Sequence, residues 1–348
     1  MGIVSLVAAG SARWFFPLIG SHFAPAKLHL AVQLFIGLLP VVFLAGVASN
    51  CTAVLNTIGR FGFPALAPVA GPLVVIAIIP FFGAAAGIWA MVYATVAGAL
   101  IHCAWIGAMM HRTGYRLTLQ WCGLDEGTVE VARQYGPVLL SGVVASGGLL
   151  VDQAMAAMLP AGSVAALAYG GRFVSVALAL LGGSVSSAVT PVFSEMVARG
   201  EWERCRNTLR SWAWMSGGVA ALVSCILIVG ARMLVRLTLQ HGAFGTQDGV
   251  VVSRVLEMYA LQIPFFVCSR VFYRFLITMR RTDLVFYCGL INLFLDVVLN
   301  LLLMRWMGVA GIALATSLWT VSTLGFLGYW SWRVLPRRGD CVAADRVG

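Results

Sequence analysis

Arg172 is the residue whose type and position point most clearly to ligand chemistry. It follows two glycines in AYGGRF, near the start of a long uncharged stretch. A charge at the centre of a bilayer costs about 2.5–3.5 kcal/mol on insertion scales, so it usually faces a cavity or a partner. Helical geometry puts Asp152 about 10 Å before the turn LPAGS (159–163) and Arg172 about 13 Å after it. Two interpretations stay open: a structural Asp152–Arg172 salt bridge, or a cavity arginine that binds an anionic ligand.

Arg270 and Arg274 form the second candidate pair, one helical turn apart on one face of a later apolar stretch. Arg280 and Arg281 follow at what we expect to be its cytoplasmic end. Long side chains near a helix end can snorkel to water, which explains Arg274 more easily than the deeper Arg270. Both are candidate substrate contacts, with snorkelling as the alternative.

Asp296 lies in the middle of NLFLDVVLNLLL, with Asn292 four residues before it and Asn300 four residues after it. This spacing places three polar side chains on one helix face, and such a stripe faces protein or water rather than lipid. It is predicted either to bond a neighbouring helix or to hold a cation or a proton. Asp152, Asp296 and Asn300 are therefore the candidate cavity or coupling residues.

The spacing of the remaining reactive residues does not indicate catalysis. The five histidines are scattered without the spacing of a metal site, and no glycine-rich loop ends in Lys-Ser or Lys-Thr. The eight cysteines form no C-x-x-C pair. We therefore expect no catalytic residue, no metal and no cofactor, and a protein that is not an enzyme.

The composition indicates the environment of these residues. Of the 348 residues, 60% are hydrophobic and 10% are charged, whereas soluble domains carry about 25% charged residues. This balance disfavours a soluble enzyme, a nucleic-acid-binding protein and a disordered chain. In so apolar a chain, the net charge of +10 is typical of basic cytoplasmic loops. The sequence therefore predicts an all-α polytopic membrane protein that does not bind nucleic acid.

About ten stretches are apolar and long enough to cross a bilayer as helices. They are 2–20, 28–56, 64–82, 86–110, 134–158, 164–190, 209–236, 250–279, 284–304 and 308–333. With a cytoplasmic N-terminus, fourteen of the 23 basic residues fall in the inner connections and the tail, and five fall in the outer connections. This asymmetry predicts that both termini are cytoplasmic.

Two inner connections, 111–133 and 194–210, mix arginines with aromatic and aliphatic residues. Each is predicted either as an interfacial helix on the inner leaflet or as a solvated loop. The first connection divides the chain into an N-terminal lobe of four helices (1–110), a cytoplasmic amphipathic linker (111–133), a C-terminal lobe of six helices (134–334) and a cytoplasmic tail (335–348).

Five segments of the sequence resemble the MurJ/MviN family of lipid II flippases. AVLNTIGRFGFPALAP (53–68) is similar to the junction of the family's fourth and fifth helices, and LVDQAMAAMLPAGSVAALAYGGRF (150–173) to the hairpin of its seventh and eighth helices. HGAFGTQD (241–248) and YALQIPFFVCSRVFYRFLITMRRTD (259–283) resemble its ninth loop and tenth helix, and DVVLNLLLMRWMGVAGIALATSL (296–318) its eleventh and twelfth helices. The resemblance implies the multidrug/oligosaccharidyl-lipid/polysaccharide exporter fold, in which two helical lobes surround a central cavity.

The sequence also departs from the family pattern. Its lobes resemble family helices 3–6 and 7–12, so the first two helices, whose arginines grip the lipid pyrophosphate, and the last two, which form a lipid-tail groove, are not represented. Arg172 occupies the position of the family's cavity arginine. Gly171 and Ser175 stand where acidic residues often flank that arginine, and Asp296 and Pro72 each replace a usual asparagine.

The resemblance implies a transporter that moves an undecaprenyl-pyrophosphate-linked saccharide, a lipid II-like peptidoglycan precursor, from the inner to the outer leaflet of the bacterial cytoplasmic membrane. Arg172 would bind the pyrophosphate, with Arg270 and Arg274 as further contacts. The alternatives are an exopolysaccharide or O-antigen flippase, an ion-coupled drug exporter that uses Asp152 and Asp296, and a non-transporting scaffold in glycan assembly. The expected partners are the lipid-linked glycan, membrane lipids and cell-wall or polysaccharide assembly enzymes.

Overall fold

The computed structural model describes residues 10–11, 25–57, 66–113, 146–241 and 244–335, and every element within them is helical. The elements are α1 (Pro25–Thr57), a 3-10 turn (Ala67–Val69), α2 (Ala70–Ala86), α3 (Ile88–Arg112), α4 (helical residues 146–157), α5 (Ser163–Ala198), α6 (Trp202–Thr238), α7 (Thr246–Ala260), α8 (Gln262–Thr278), α9 (Thr282–Met307) and α10 (Val309–Val334). The all-α prediction is confirmed.

Seven helical segments of the described residues are long and apolar enough to cross a membrane. They are Leu28–Leu55 within α1, then α3, α5, α6, Thr246–Thr278 (α7 with α8), α9 and α10. α2 is apolar but shorter, with 17 residues. Of the other predicted spans, 2–20 lies almost entirely outside the described residues, and 134–158 is described only from residue 146.

Neither alternative predicted for 194–210, an interfacial helix or a solvated loop, is correct. Residues up to Ala198 are the last turn of α5, and α6 begins at Trp202. The two helices contain 36 and 37 residues, so each is about 55 Å long and extends beyond a hydrocarbon core of about 30 Å. The amphipathic pattern arises because Cys205 and Leu209 are buried against other helices of the bundle. Of the linker 111–133, the part from residue 114 lies outside the described residues.

Tight glycine turns join two pairs of helices. Gly87, between α2 and α3, has φ 55°, and Gly308, between α9 and α10, has φ 59°. Glycine adopts this left-handed region without a steric cost, so a connection of a single residue suffices. The single residue Gly87 therefore holds α2 antiparallel to α3, and the two helices pack against each other.

The chain separates into two compact units, Met1–Asp125 and Glu126–Gly348. In the first unit α1 and α2 both pack against α3. Gly98 of α3 meets Gly71 of α2 so closely that a Cβ on Gly98 would lie 2.9 Å from the Gly71 Cα. A small buried cluster that includes Leu55 and Ile106 fills the contact between α1 and α3. The helices of this unit are held together by close approach of their backbones more than by large buried side chains.

In the second unit α8 packs against α5, α6 and α10. One apolar cluster joins Val174 of α5, Val255 of α7 and Ile312 of α10. A second cluster, towards the α5–α6 turn, joins Phe193 of α5 to Phe275 of α8. These two clusters fix the helices that carry the candidate site residues.

The α2–α3 contact generates a stability prediction. Gly98→Ala places a methyl group against the backbone of Gly71, which cannot move as a side chain would, and we expect a loss of about 1–3 kcal/mol in unfolding free energy. The matched control is Gly107→Ala on the same helix, because a Cβ there meets nothing within 4 Å. Thermal unfolding of the purified chain in detergent measures both variants. Equal melting temperatures for the two variants would contradict the contact.

Candidate functional site

Asp152 of α4 and Asp296 of α9 lie together inside the second unit. Their exposed fractions are 6% and 2%. Asn300, one turn after Asp296 and fully buried, bridges them: its Nδ2 donates to Asp152 Oδ1 at 2.7 Å and to Asp296 Oδ1 at 3.2 Å. The hydroxyl of Thr316 on α10 lies 3.3 Å from Asp152 Oδ2, to which it donates. The structure thus brings together Asp152, Asp296 and Asn300 and adds Thr316, a residue that the sequence analysis missed.

Two glycines of α4 allow this close approach. A Cβ on Gly148 would lie 3.3 Å from Asp296 Oδ2, and a Cβ on Gly147 would lie 3.2 Å from Leu293 Cδ1. The i, i+4 spacing of Asp296 and Asn300 then presents both side chains to α4 on one face of α9. The site is therefore assembled by three helices, α4, α9 and α10, that are distant in sequence.

Two oxygen atoms of this cluster are buried without a hydrogen-bond partner, Asp296 Oδ2 and Asn300 Oδ1. No arginine, lysine or histidine of the described chain forms an ion pair with either carboxylate. Burying two carboxylates without a compensating charge is unfavourable, so a proton or a cation is the expected complement. Carboxylate, amide and hydroxyl oxygens fit a hard cation, and Asp152, Asp296, Asn300 and Thr316 would hold it.

Metal sites built from several histidine, cysteine or acidic side chains are not present in the described part of the chain. No group of three or more His, Cys, Asp and Glu side chains is placed to hold a metal ion there. The two carboxylates are instead hydrogen-bonded by the neutral side chains of Asn300 and Thr316.

The interpretation of Arg172 and Asp152 as a structural salt bridge is wrong. Asp152 receives its hydrogen bonds from Asn300 and Thr316, and Arg172 is exposed on α5. Counting along the helix axes compares only the heights of two residues. It does not give the face of the helix from which each projects, and Asp152 faces α9 and α10.

The glycines before Arg172 pack against α7 instead of leaving room for a ligand. A Cβ on Gly170 would lie 2.6 Å from Val255 Cγ1 and 3.2 Å from the backbone nitrogen of Leu256. A Cβ on Gly171 would lie 3.6 Å from Cε2 of Tyr259. α5 is therefore held tightly against α7 immediately before its arginine.

Arg270 and Arg274 lie on α8 among aromatic rings. The guanidinium carbon of Arg270 is 4.4 Å from the centroid of Phe266 and 5.5 Å from that of Tyr273, and the guanidinium carbon of Arg274 is 6.0 Å from Tyr273. Such stacking stabilises a partly desolvated cation without neutralising it. Neither arginine forms an ion pair with a carboxylate of the described residues. Both retain a net positive charge for a ligand.

The architecture is that of a multi-pass helical membrane protein. The fold matches a solved structure named lipid II flippase MurJ in its inward closed conformation with a TM-score of 0.81, at 21% identity over 96% of this chain and 70% of that chain. It also matches an inward-facing multidrug transporter of the MATE family with a TM-score of 0.80, at 13% identity over 96% of this chain and 79% of that chain. These likenesses show the exporter fold, and the expected fold is confirmed.

The chain belongs to the MurJ family, because the family model described as lipid II flippase MurJ matches residues 1–341. Similar proteins include the probable lipid II flippase MurJ of Bdellovibrio bacteriovorus, 25% identical over 321 residues, and that of Rhizobium meliloti, 24% identical over 329 residues. Each alignment covers 90% of this chain and 61% of the relative. The chain thus spans about three fifths of the length of these relatives.

The bridge between the two carboxylates generates a second prediction. Asn300→Ala removes the amide that donates to both, and hydrogen bonds to charged groups contribute about 1.5–3 kcal/mol to stability. We expect a loss of that size in unfolding free energy, measured as thermal unfolding at fixed pH and salt. The matched control is Asn292→Ala, one turn earlier on α9, whose Nδ2 donates only to Cys288 Sγ at 3.7 Å. If Asn292→Ala destabilises the protein as much, the bridge is not the source of the effect.

Proposed function

We propose that the protein is a flippase-type transporter that moves an undecaprenyl-pyrophosphate-linked saccharide, such as a lipid II-like peptidoglycan precursor, from the inner to the outer leaflet. Membership of the MurJ family and the lipid II flippase names of its relatives support this substrate class. The observation that carries the proposal is Arg172, an exposed arginine about 13 Å from the start of a membrane-crossing helix. An arginine on a membrane-crossing helix favours an aqueous path or an anionic ligand.

The chemistry of the substrate suits the arginines of the second unit. A guanidinium donates two parallel hydrogen bonds to phosphate oxygens, which is stronger and more specific than a point charge. Arg172 is the proposed primary contact to the pyrophosphate. Arg270 and Arg274 are proposed as further contacts, since their aromatic neighbours hold them without cancelling their charge.

The driving force proposed for export is electrical and ionic. Moving an anion outward from a negative interior gains about 2.3 kcal/mol per charge per 100 mV. Asp152, Asp296 and Asn300 are the proposed coupling residues, where a proton or a monovalent cation would neutralise the carboxylate pair. The proposed activity is therefore transport without a catalytic step.

The proposed location is the bacterial cytoplasmic membrane, with both termini in the cytoplasm. Fourteen basic residues lie in the inner connections and the tail, and five lie in the outer connections. This asymmetry supports the proposed orientation. Cell-wall or polysaccharide assembly enzymes are the proposed protein partners, because they make and consume lipid-linked glycans at the two faces of that membrane.

Replacing Arg172 tests the proposal. Arg172→Ala removes the charge-assisted hydrogen bonds, and we expect binding of undecaprenyl pyrophosphate to the purified chain to weaken about 10–100-fold. Arg172→Lys keeps the charge but loses the bidentate geometry and should recover only part of the affinity. The matched control is Arg199→Ala at the end of the same helix, where the arginine pairs with Glu195 at 2.8 Å.

Two readouts decide the Arg172 test. Ligand binding in nanodiscs reports the contact itself, and complementation of a conditional flippase strain at equal expression reports transport. If Arg172→Ala binds the lipid and complements the strain as the wild type does, Arg172 is not the contact to the pyrophosphate.

A second candidate function is ion-coupled export of cationic or amphipathic compounds. The carboxylate pair and the likeness to MATE transporters favour it. It predicts substrate-dependent sodium or proton flux in proteoliposomes with a small cationic compound, whereas the flippase proposal predicts flux with a pyrophosphate lipid. An exopolysaccharide or O-antigen flippase differs only in the glycan, and competition between purified lipid-linked glycans distinguishes it.

A further inference from the structure

Side-chain packing fixes the relative heights of α5 and α8, which contact each other along their length. In the first half of α5, Val174 belongs to the same apolar cluster as Val267 of α8. Near the end of α5, Phe193 packs edge-on against Phe275, with the two ring centroids 5.4 Å apart. The two helices therefore run in the same direction, and Phe275 is level with Phe193.

The three candidate arginines consequently lie at two depths. Arg172 is 21 residues before Phe193 on α5, which is about 32 Å along the helix axis. Arg270 and Arg274 are five residues and one residue before Phe275 on α8, or about 8 Å and about 2 Å. Arg172 is thus about 24 Å from the level of Arg270 and about 30 Å from that of Arg274. The second separation equals the thickness of the hydrocarbon core, about 30 Å, so one diphosphate group cannot contact all three side chains.

The side chain of Arg270 is directed into the span and away from its end. Its guanidinium carbon lies 4.4 Å from the centroid of Phe266, which precedes it by about one helical turn. Side chains on a helix lean towards the N-terminus of that helix, so the Phe266 ring lies even further from the end of α8. A snorkelling arginine would extend the other way, towards Thr278 at the end of the helix. Snorkelling therefore does not account for Arg270.

Arg270 and Arg274 form a pair on either side of Tyr273. The centroid of the Tyr273 ring is 5.5 Å from the guanidinium carbon of Arg270 and 6.0 Å from that of Arg274. Both arginine side chains are half-buried, and neither pairs with a carboxylate of the described residues. The Nε of Arg274 is buried and has no hydrogen-bond partner among those residues. The pair thus holds two partly desolvated positive charges that an added anion would satisfy.

We propose that Arg270 and Arg274 form a separate anion site, which binds the diphosphate group of the lipid near the α5–α6 turn and away from Arg172. Two guanidinium groups one turn apart can each donate two parallel hydrogen bonds to one phosphoryl group of a diphosphate. The α5–α6 turn is on the side proposed to be cytoplasmic, so the pair receives the substrate and Arg172 holds it nearer the outer face. This inference rests on the proposed function and divides its substrate path into two sites.

The number of bound ligands distinguishes two sites from one. The full chain in nanodiscs of zwitterionic lipid, which leave both faces accessible, is equilibrated with radiolabelled inorganic pyrophosphate. We expect two bound pyrophosphates per wild-type chain, one for Arg172→Ala, and one for the double variant Arg270→Ala/Arg274→Ala. The remaining site should keep its wild-type affinity to within about twofold, because substitutions this far apart act independently. A single bound pyrophosphate in the wild-type chain overturns the proposal.

The matched control is the double variant Arg232→Ala/Arg236→Ala on α6. It removes the same charge from two exposed arginines with the same i, i+4 spacing. We expect this variant to keep both sites. If it loses a site as the double variant of α8 does, net charge and not the arginine pair explains the binding, and the proposal is overturned.

A second ligand tests whether the site belongs to the transport path. Farnesyl pyrophosphate carries the same diphosphate group on a short lipid chain, and it should displace the labelled pyrophosphate from the site of Arg270 and Arg274. If inorganic pyrophosphate binds there and farnesyl pyrophosphate does not displace it, the site takes a free phosphate ligand. That result overturns its assignment to the lipid.

The outcomes separate failure of this inference from failure of the proposed function. A single site that is lost in Arg172→Ala and kept in Arg270→Ala/Arg274→Ala leaves the proposed function in place and removes the second site. A single site that all of these substitutions weaken does the same, because it shows one shared ligand. A wild-type chain that binds neither inorganic nor farnesyl pyrophosphate contradicts the proposed function as well.

Discussion

Two carboxylates buried side by side in a membrane-crossing bundle are the constraint that the second unit is built to satisfy. Asp152 and Asp296 repel each other, and the low dielectric around them strengthens that repulsion. Asn300 bridges them with one amide nitrogen, and Thr316 adds a hydroxyl. These neutral donors reduce the cost of the two charges without removing it. Among the described residues the hydrogen-bond donors to the pair are neutral, which is the basis for proposing a proton or a cation there.

The same constraint explains the small residues around the site. A side chain on Gly148 would crowd Asp296, and a side chain on Gly170 would clash with Val255 of α7. Helix association in membranes relies on packing and hydrogen bonds, because lipid is as apolar as the helix surface. Polar residues and glycines are thus parts of one arrangement in this unit: the glycines bring the helices close enough for the polar groups to bond.

Hydropathy and charge predicted the membrane, most of the spans and the polar stripe of Asp296 and Asn300 from the sequence. These features depend on local composition and on the 3.6-residue period, both of which are visible in a single segment. The predicted Asp152–Arg172 salt bridge was wrong, because the distance along a helix axis does not give the direction in which a side chain projects around that axis. Thr316 was missed for a related reason. It is an ordinary residue on its own helix and becomes part of a site only when α10 packs beside α4.

Because Arg172 and Asp152 are separated, the two charges do not neutralise each other. Had the two formed a salt bridge, each charge would have satisfied the other, and neither would have been available to a ligand. The fold instead turns Asp152 towards Asp296 and leaves Arg172 exposed on α5. The unit consequently keeps an excess negative charge at Asp152 and an excess positive charge at Arg172. The proposed transport of an anionic lipid requires that Arg172 is not neutralised by Asp152, and this geometry meets that condition.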